Sequence, residues 1–449
     1  MSDRTLREAE LAWQAAPGEV EAGERYLQAC ARAGVDPPLD LIFTRVRPGR
    51  ALSLPPEVSE VKAGAWGPPL EIEEGLERRV EVPPHAALFL KVRVETWPAT
   101  ARCLNQLFAQ LEGEPLRIAL LCTEATPPGA LPRLGPARLD FLDLHWRSEG
   151  RGPEQPPSLL PGLVDLTVRG FESNEDAPRA LPQVEDRLWL DCGRQDRGAL
   201  EQILRVAPRV RDLRLGVLER EAVELLPRFE RVEALDFGQA WCPLDREGGE
   251  LLAALGRLRR LRCSGDEGSP LRAGFLAALA GLSLEQLGIV SHAGAAPKVL
   301  REVALHPGLR HLDVCLGQGL RDVGLHGWER LEGLEQLFIE DHDRGLTGQG
   351  LRWLHRLQRL EVLYLNTLWL TDDHLAHLAQ AWSPRLESLT LRHAPGVGEA
   401  SLPLLRALVP RLRHLQLDGL GLTRAQYEEL EALVGTGRRG REVRGEGAR

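Results

Sequence analysis

The chain has 449 residues, 43% of them hydrophobic and 27% charged, a balance that builds a folded core and excludes disorder over most of its length. A formal charge of -9 leaves no basic surplus, which argues against nucleic acid as a partner. No stretch approaches the roughly 18 uninterrupted apolar residues of a membrane helix, and the start, MSDRTLREAELAWQAAPGEV, has no apolar signal core, so the expected location is cytoplasmic and away from membranes.

In chain order, residues 4–16 and 19–33 read as two amphipathic helices broken at Pro17-Gly18, a helical hairpin. Residues 34–84 are rich in proline and glycine with short apolar runs such as LDLIFTRV, and predict strands and loops that cover the open end of the next segment. Residues 1–84 are therefore expected to form a small N-terminal α+β cap.

A repeat then takes over. Its unit is leucine, two residues, leucine, one residue, leucine, as in LDFLDL from 139, VRDLRL from 210, LRHLDV from 309, LEQLFI from 334, LEVLYL from 360 and LRHLQL from 412. The last apolar position recurs at Leu144, Val168, Leu190, Leu215, Phe237, Cys263, Ile289, Val314, Ile339, Leu365, Leu391 and Leu417, at intervals of 22 to 26 residues. LRIAL ending at Leu120 and LKVRV ending at Val94 are weaker copies, and VEDRLWL from 184 carries one extra residue. Alternation within each unit predicts a short strand, and runs such as GELLAALGRL from 249 predict a helix after it. One such pair cannot bury its own apolar face, so copies must stack. The fold expected over residues 85–435 is α/β: a curved solenoid of about 12 to 14 repeats, with a parallel sheet on the concave face and helices on the convex face. Thr423 and Gln426 form a capping box for a closing helix, and the arginine-rich stretch 436–449 is expected to be a disordered tail.

These residues resemble the leucine-rich repeat proteins, in particular the long, helix-bearing subclass of ribonuclease inhibitors and F-box adaptors, patterned L-x-x-L-x-L-x-x-C-x-x-[LI]-T-D-x-G-L. LRHLDVCLGQGLRDVGL from 309 matches that pattern with Gly317 at the cysteine or asparagine position, a position that most copies here have lost. The head, with REAEL leading into YLQ and AG, resembles a repeat-companion segment found before such arrays in some soil bacteria. Only Lys62, Lys91 and Lys298 are lysines among 56 basic residues, a bias that also points to a GC-rich bacterial source.

Candidate chemistry is thin. Seven cysteines, at 30, 103, 122, 192, 242, 263 and 315, include no C-x-x-C pair and suit reduced thiols. Asp372, Asp373, His374 and His377 invite a metal reading, but Thr371 stands where a helix-starting residue belongs and acids favour a first helical turn. Glu340, Asp341, His342 and Asp343 form an acidic cluster expected in an exposed turn after a strand. No phosphate loop, serine elbow or dinucleotide fingerprint is present, and no catalytic residue, metal or cofactor is expected.

The residues between the leucines should line the concave face. One column reads Trp189, Arg214, Asp236, Arg262, Gly288, Asp313, Phe338, Tyr364, Thr390 and Gln416, and the column two residues on includes Cys315, Glu340, Asn366, Arg392 and Asp418. Phe338 and Tyr364, flanked by His311, Asp313, Glu340 and Asn366, form the candidate partner site, with Trp189 a further exposed aromatic. The competing reading is that the two rings only pack on each other across the ladder. The function expected is a non-catalytic, monomeric scaffold that binds a protein partner. The alternative is an adaptor or regulator of an enzyme, ubiquitin-ligase-like or effector-like, in which residues 1–84 act and the repeats select the target.

Overall fold

The computed structural model describes eight strands before residue 194, residues 194–435 with short breaks at turns, and residues 442–444, with side chains from Val184 onward. The helical hairpin expected over residues 4–33 lies outside the described residues. Two compact units are present: Met1–Arg194 with Gly198–Val210, and Gln195–Arg197 with Arg211–Arg449. The division falls within the run of repeats rather than at its head.

In the first unit the strands are β1 Arg50–Leu54, β2 Val58–Ala63, β3 Arg78–Val82, β4 Leu88–Val94, β5 Leu116–Cys122, β6 Leu139–Trp146, β7 Leu163–Arg169 and β8 Val184–Asp191. Strands β4 to β8 pair in parallel, each with the next, so the two weaker copies of the repeat are strands of the same sheet. β2 joins β4 antiparallel, and β1 pairs with β3. The extra residue of VEDRLWL is absorbed as a bulge, since Leu163 faces Val184 while Asp165 faces Arg187.

After the two-residue β9 Arg194–Gln195, the second unit holds β10 Asp212–Leu218, β11 Ala234–Ala240, β12 Arg260–Gly265, β13 Gln286–Ser291, β14 His311–Leu316, β15 Gln336–Asp341, β16 Val362–Thr367, β17 Ser388–Arg392, β18 His414–Asp418 and β19 Glu442–Arg444. From β10 to β19 every strand pairs in parallel with the next. The stretch expected to be a disordered tail thus contributes one short strand, β19, to the open N–H and C=O edge of β18.

Register explains the core. Leu287, Leu312, Leu337, Leu363 and Leu389 face one another across β13 to β17, and none is more than 2% exposed. Each such side chain contributes on the order of 2 kcal/mol by leaving water, and no single repeat could shelter it. The helices α1 Arg220–Val223, α2 Arg246–Ala253, α3 Phe275–Ala278, α4 Pro297–Glu302, α5 Asp372–Ala381, α6 Leu402–Leu408 and α7 Arg424–Gly435 return the chain between strands. This is an α/β leucine-rich repeat solenoid. Two middle repeats depart from the helical expectation, replacing the helix with 3-10 turns at Asp322–Leu325, Trp328–Arg330 and Arg352–Arg356. Gly327 gives a local reason, since its φ of +96 breaks the run and an added Cβ would lie 2.9 Å from the Cβ of Ala304.

Polar groups lock neighbouring repeats together. The buried Glu302 carboxylate accepts from the backbone N–H groups of Gly274 at 2.7 Å and Ala277 at 3.2 Å, one repeat back. Trp328 donates its indole N–H to the Leu300 carbonyl at 2.8 Å and meets Trp353 edge-on at 5.3 Å. Asp372 accepts from the Gly398 N–H at 2.8 Å and from the Ser401 hydroxyl, one repeat ahead. Thr423 and Gln426 make the expected cap of α7, with the Thr423 N–H donating to the Gln426 side chain at 2.8 Å.

These locks can be tested by stability. Glu302→Ala strands two amides and should cost about 1.5–3 kcal/mol in urea unfolding, whereas Glu250→Ala removes only the exposed i,i+4 pair with Arg246 and should cost under about 0.5 kcal/mol. His306 is 2% exposed, donates through Nε2 to the Leu276 carbonyl at 3.0 Å, and has no partner for Nδ1 among the described residues. Burial pushes its pKa below the ordinary 6.5, so the unfolded chain takes up a proton that the folded ring refuses. This contribution is intact above pH 6.5 and is lost as pH falls below it, at up to about 1.4 kcal/mol per pH unit. Measured by urea unfolding between those conditions, His306→Gln should flatten that slope relative to the unaltered chain.

Candidate binding face

Alternation along β14 to β16 sends Leu312, Val314, Leu337, Ile339, Leu363 and Leu365 inward and leaves His311, Asp313, Cys315, Gln336, Phe338, Glu340, Val362 and Tyr364 half-buried on the open face. Asp313, Phe338 and Tyr364 stand side by side in register, as do Cys315, Glu340 and Asn366. Both columns expected from the leucine spacing therefore exist as rows across the sheet.

The rings do pack together. His311 stacks on Phe338 with centroids 5.1 Å apart and planes 20° apart, and Phe338 lies 5.7 Å from Tyr364 at 31°. Rings stacked at about the strand spacing stand up from the sheet and present their edges outward. The His311 imidazole is also held by Gln336, Nδ1 to Oε1 at 3.0 Å. The result is a three-ring ridge with little rotamer freedom left in it.

Charge surrounds the ridge unevenly. Burial pushes the Asp313 carboxyl above the ordinary carboxylate range, against the pull of Arg262 and His311 and with the help of Glu340. The Arg262 guanidinium reaches Asp313 at 4.0 Å from two strands away. It can do so because the intervening position is Gly288, where a Cβ would come within 2.8 Å of the Arg262 Cγ. At the far end Arg392 donates twice to Asp418, at 3.1 and 3.2 Å, and is also held by the Tyr364 side chain, contacts that push its pKa up. Toward β10 the face is closed by paired charges, Arg214 with Asp236 at 3.6 Å and Arg260 with Asp212 at 3.5 Å.

Not every expected residue lies open on the face. Asn366 is only 6% exposed, and its amide oxygen meets the His393 Nδ1 at 2.7 Å, so it supports the face from within. His393 adopts a left-handed φ of 52, the same turn position at which Gly419 has φ +64 in the next repeat. Trp189 is half-buried in the first unit, with the Arg187 guanidinium 5.1 Å from its ring centroid. Arg262 and Arg392 enter the ridge's surroundings without having been singled out, and the glycine gap at 288 in an otherwise filled column was the sequence signal for the first.

The other chemical candidates make contacts within the fold. Thr371 begins α5, and the His374 Nδ1 accepts from both the Thr371 N–H at 3.2 Å and its hydroxyl at 2.7 Å, a capping box with imidazole in the place of glutamate. Glu340 and Asp341 sit on opposite sides of β15. Asp341 was expected in an exposed turn, but the strand runs on through it, alternation turns it inward, and it is 0% exposed. His342 and Asp343 lie outside the described residues. The Cys263 thiol is buried and pushed up to about 12, chiefly by desolvation, and the Cys315 thiol to about 11 by desolvation with Glu340 and Asp313. Neither is a thiolate at neutral pH.

No family model matches the chain, and no curated protein matches it. Among solved structures it is similar to a crystal structure of a TLR13–ssRNA13 complex, at 14% identity and a TM-score of 0.42, over 80% of this chain and 48% of that one. The chain spans about half the length of that protein. Strand register and repeat period, not this likeness, carry the fold.

A double-mutant cycle of His311→Ala and Phe338→Ala should give a coupling of about 0.5–1.5 kcal/mol in urea unfolding, the range for stacked rings, and a coupling near zero would remove the ridge as a unit.

Proposed function

We propose that the protein is a non-catalytic scaffold whose open sheet face binds a protein partner, centred on the ridge of Phe338 and Tyr364 with His311, Asp313 and Glu340 beside it. The observation that carries this reading is the ridge itself: half-buried aromatic rings, already ordered by one another, on the open side of the sheet. Such rings bury large area at small entropic cost and are what binding hot spots are made of. That they pack on one another is compatible with this role, because mutual packing is what orders them before a partner arrives.

Several observations support the non-catalytic part. The two cysteines described with their side chains are held as thiols, His374 is spent on a helix cap, and His306 is buried. The formal charge of -9 and the acids beside the ridge favour a protein over nucleic acid. The arginine-over-lysine bias supports a bacterial source, and the match of LRHLDVCLGQGLRDVGL from 309 to the subclass pattern supports the ribonuclease-inhibitor-like subclass. No helix among the described residues is long and apolar enough to cross a membrane, and a cytoplasmic location is part of the same proposal.

The test is capture of partners by the full chain, identified by mass spectrometry, with Phe338→Ala/Tyr364→Ala alongside. Loss of the specific partners by at least about tenfold, with thermal unfolding still cooperative, is the expected outcome. Retention of every partner by a folded double variant would sink the reading.

A further inference from the structure

The edge by which the chain enters β16, β17 and β18 carries a row of arginines that the ridge does not use. Leu360, Leu386 and Leu412 donate their backbone N–H groups to the carbonyls three residues back, those of Leu357, Ser383 and Val409, at 3.1 to 3.2 Å, so the same turn precedes each strand. The residue just before each leucine is Arg359, Arg385 and Arg411 in turn, and all three are exposed. The strands that follow stand in register, Val362 beside Ser388 and Ser388 beside His414. A strand spacing of about 4.8 Å therefore sets these arginines in a row about 10 Å long.

One buried serine ties the three turns together. Ser383, 2% exposed, donates its hydroxyl to the Gln358 carbonyl at 3.2 Å, just before Arg359, and accepts from the Arg385 N–H at 3.2 Å. Its own carbonyl accepts from the Arg411 guanidinium at 3.1 Å. The row widens in the repeat of β16, where a 3-10 turn spans Arg352–Arg356. With about three residues to a turn, Leu351, Leu354, Leu357 and Leu360 are all buried, and Arg352 and Arg356 are left outside with Arg359. Among the described residues no acid pairs with Arg352, Arg356, Arg359 or Arg385. The acids on the same edge stand just before the strands: Glu387 is ion-paired with Arg413 at 3.4 Å, and Glu361 has an interaction of its own. Positive charge is thus gathered here on a chain whose formal charge is -9.

We propose that this arginine row is a second docking surface, separate from the ridge, for a short segment of a protein partner rich in glutamate or aspartate. Each guanidinium is a planar fork that matches a carboxylate. Carboxylates on one side of an extended segment recur about every 7 Å, a spacing that long arginine stems reach from turns about 4.8 Å apart. The row is too short for a polynucleotide track. In the preceding repeat the place of Arg359 is taken by Gly333, with Glu332 exposed next to it, and the overall charge of -9 repels a long polyanion.

Binding of a fluorescent oligoglutamate peptide to the full chain at low salt tests this, with oligothymidylate as the competing polyanion. The peptide should bind, and more weakly as salt rises. Arg356→Gln/Arg359→Gln/Arg385→Gln removes charges that pair with no described acid, and should weaken binding by about tenfold or more with thermal unfolding unchanged. Phe338→Ala/Tyr364→Ala should leave peptide binding unchanged, so the row and the ridge stand or fall separately. A peptide that does not bind, or that binds the triple arginine variant as tightly as the unaltered chain, overturns the proposal. So does oligothymidylate that binds more tightly than the peptide and is lost with the same arginines, which would make the row a nucleic-acid surface.

Discussion

A strand of six residues with two or three inward leucines cannot dry its own apolar side. Everything else in the second unit depends on the way this is met: each strand lays its leucines against those of the next, in parallel register, from β10 to β18. A slip of one residue would turn every leucine outward, so burial fixes the register without help from turn chemistry. It also fixes what the open face displays, because a residue between two buried leucines has nowhere else to point. The polar locks at Glu302, Trp328 and Asp372 act on the same joints from the helical side, each satisfying backbone or side-chain groups of a neighbouring repeat.

That dependence explains which features could be read from the sequence. The strands, their pairing and the rows containing Asp313, Phe338 and Tyr364 come from a period of two inside a period of about 25, and both periods are local. The inward turn of Asp341 was also available from alternation, but only once β15 is known to run through it. The burial of Asn366 was not available, because it depends on His393, 27 residues on, taking a left-handed turn that brings its ring back. Nor was the path of Arg262, which needs the absence of a side chain at Gly288, in the repeat between it and its target. The 3-10 turns of the middle repeats lie between these cases: Gly324 and Gly327 were visible, yet their effect depends on how close the preceding repeat stands. Side-chain reach across repeats is a tertiary property, and single-sequence reasoning meets its limit there.

The charges on the face are arranged so that most of them answer one another. From β10 to β12, Arg214, Asp236, Arg260 and Asp212 are paired across strands, and partly exposed pairs of this kind add little stability. Each ion there already has a counterion within reach. At the other end Arg392 and Asp418 answer each other in the same way. Between them stand the rings, with Asp313 itself reached by Arg262 from β12.

Order in the ridge matters as much as its composition. An isolated exposed phenylalanine must give up rotamer freedom when a partner arrives, at about 0.5–1.5 kcal/mol for each immobilised side chain. Here Phe338 is stacked on His311, His311 is held by Gln336, and Tyr364 is held through Arg392 to Asp418, so that cost has been met in folding. The same leucine register that stabilises the core spaces these rings at stacking distance. Packing and recognition are therefore not rival explanations for Phe338 and Tyr364: the packing sets the geometry that a partner would meet, and it does so before binding.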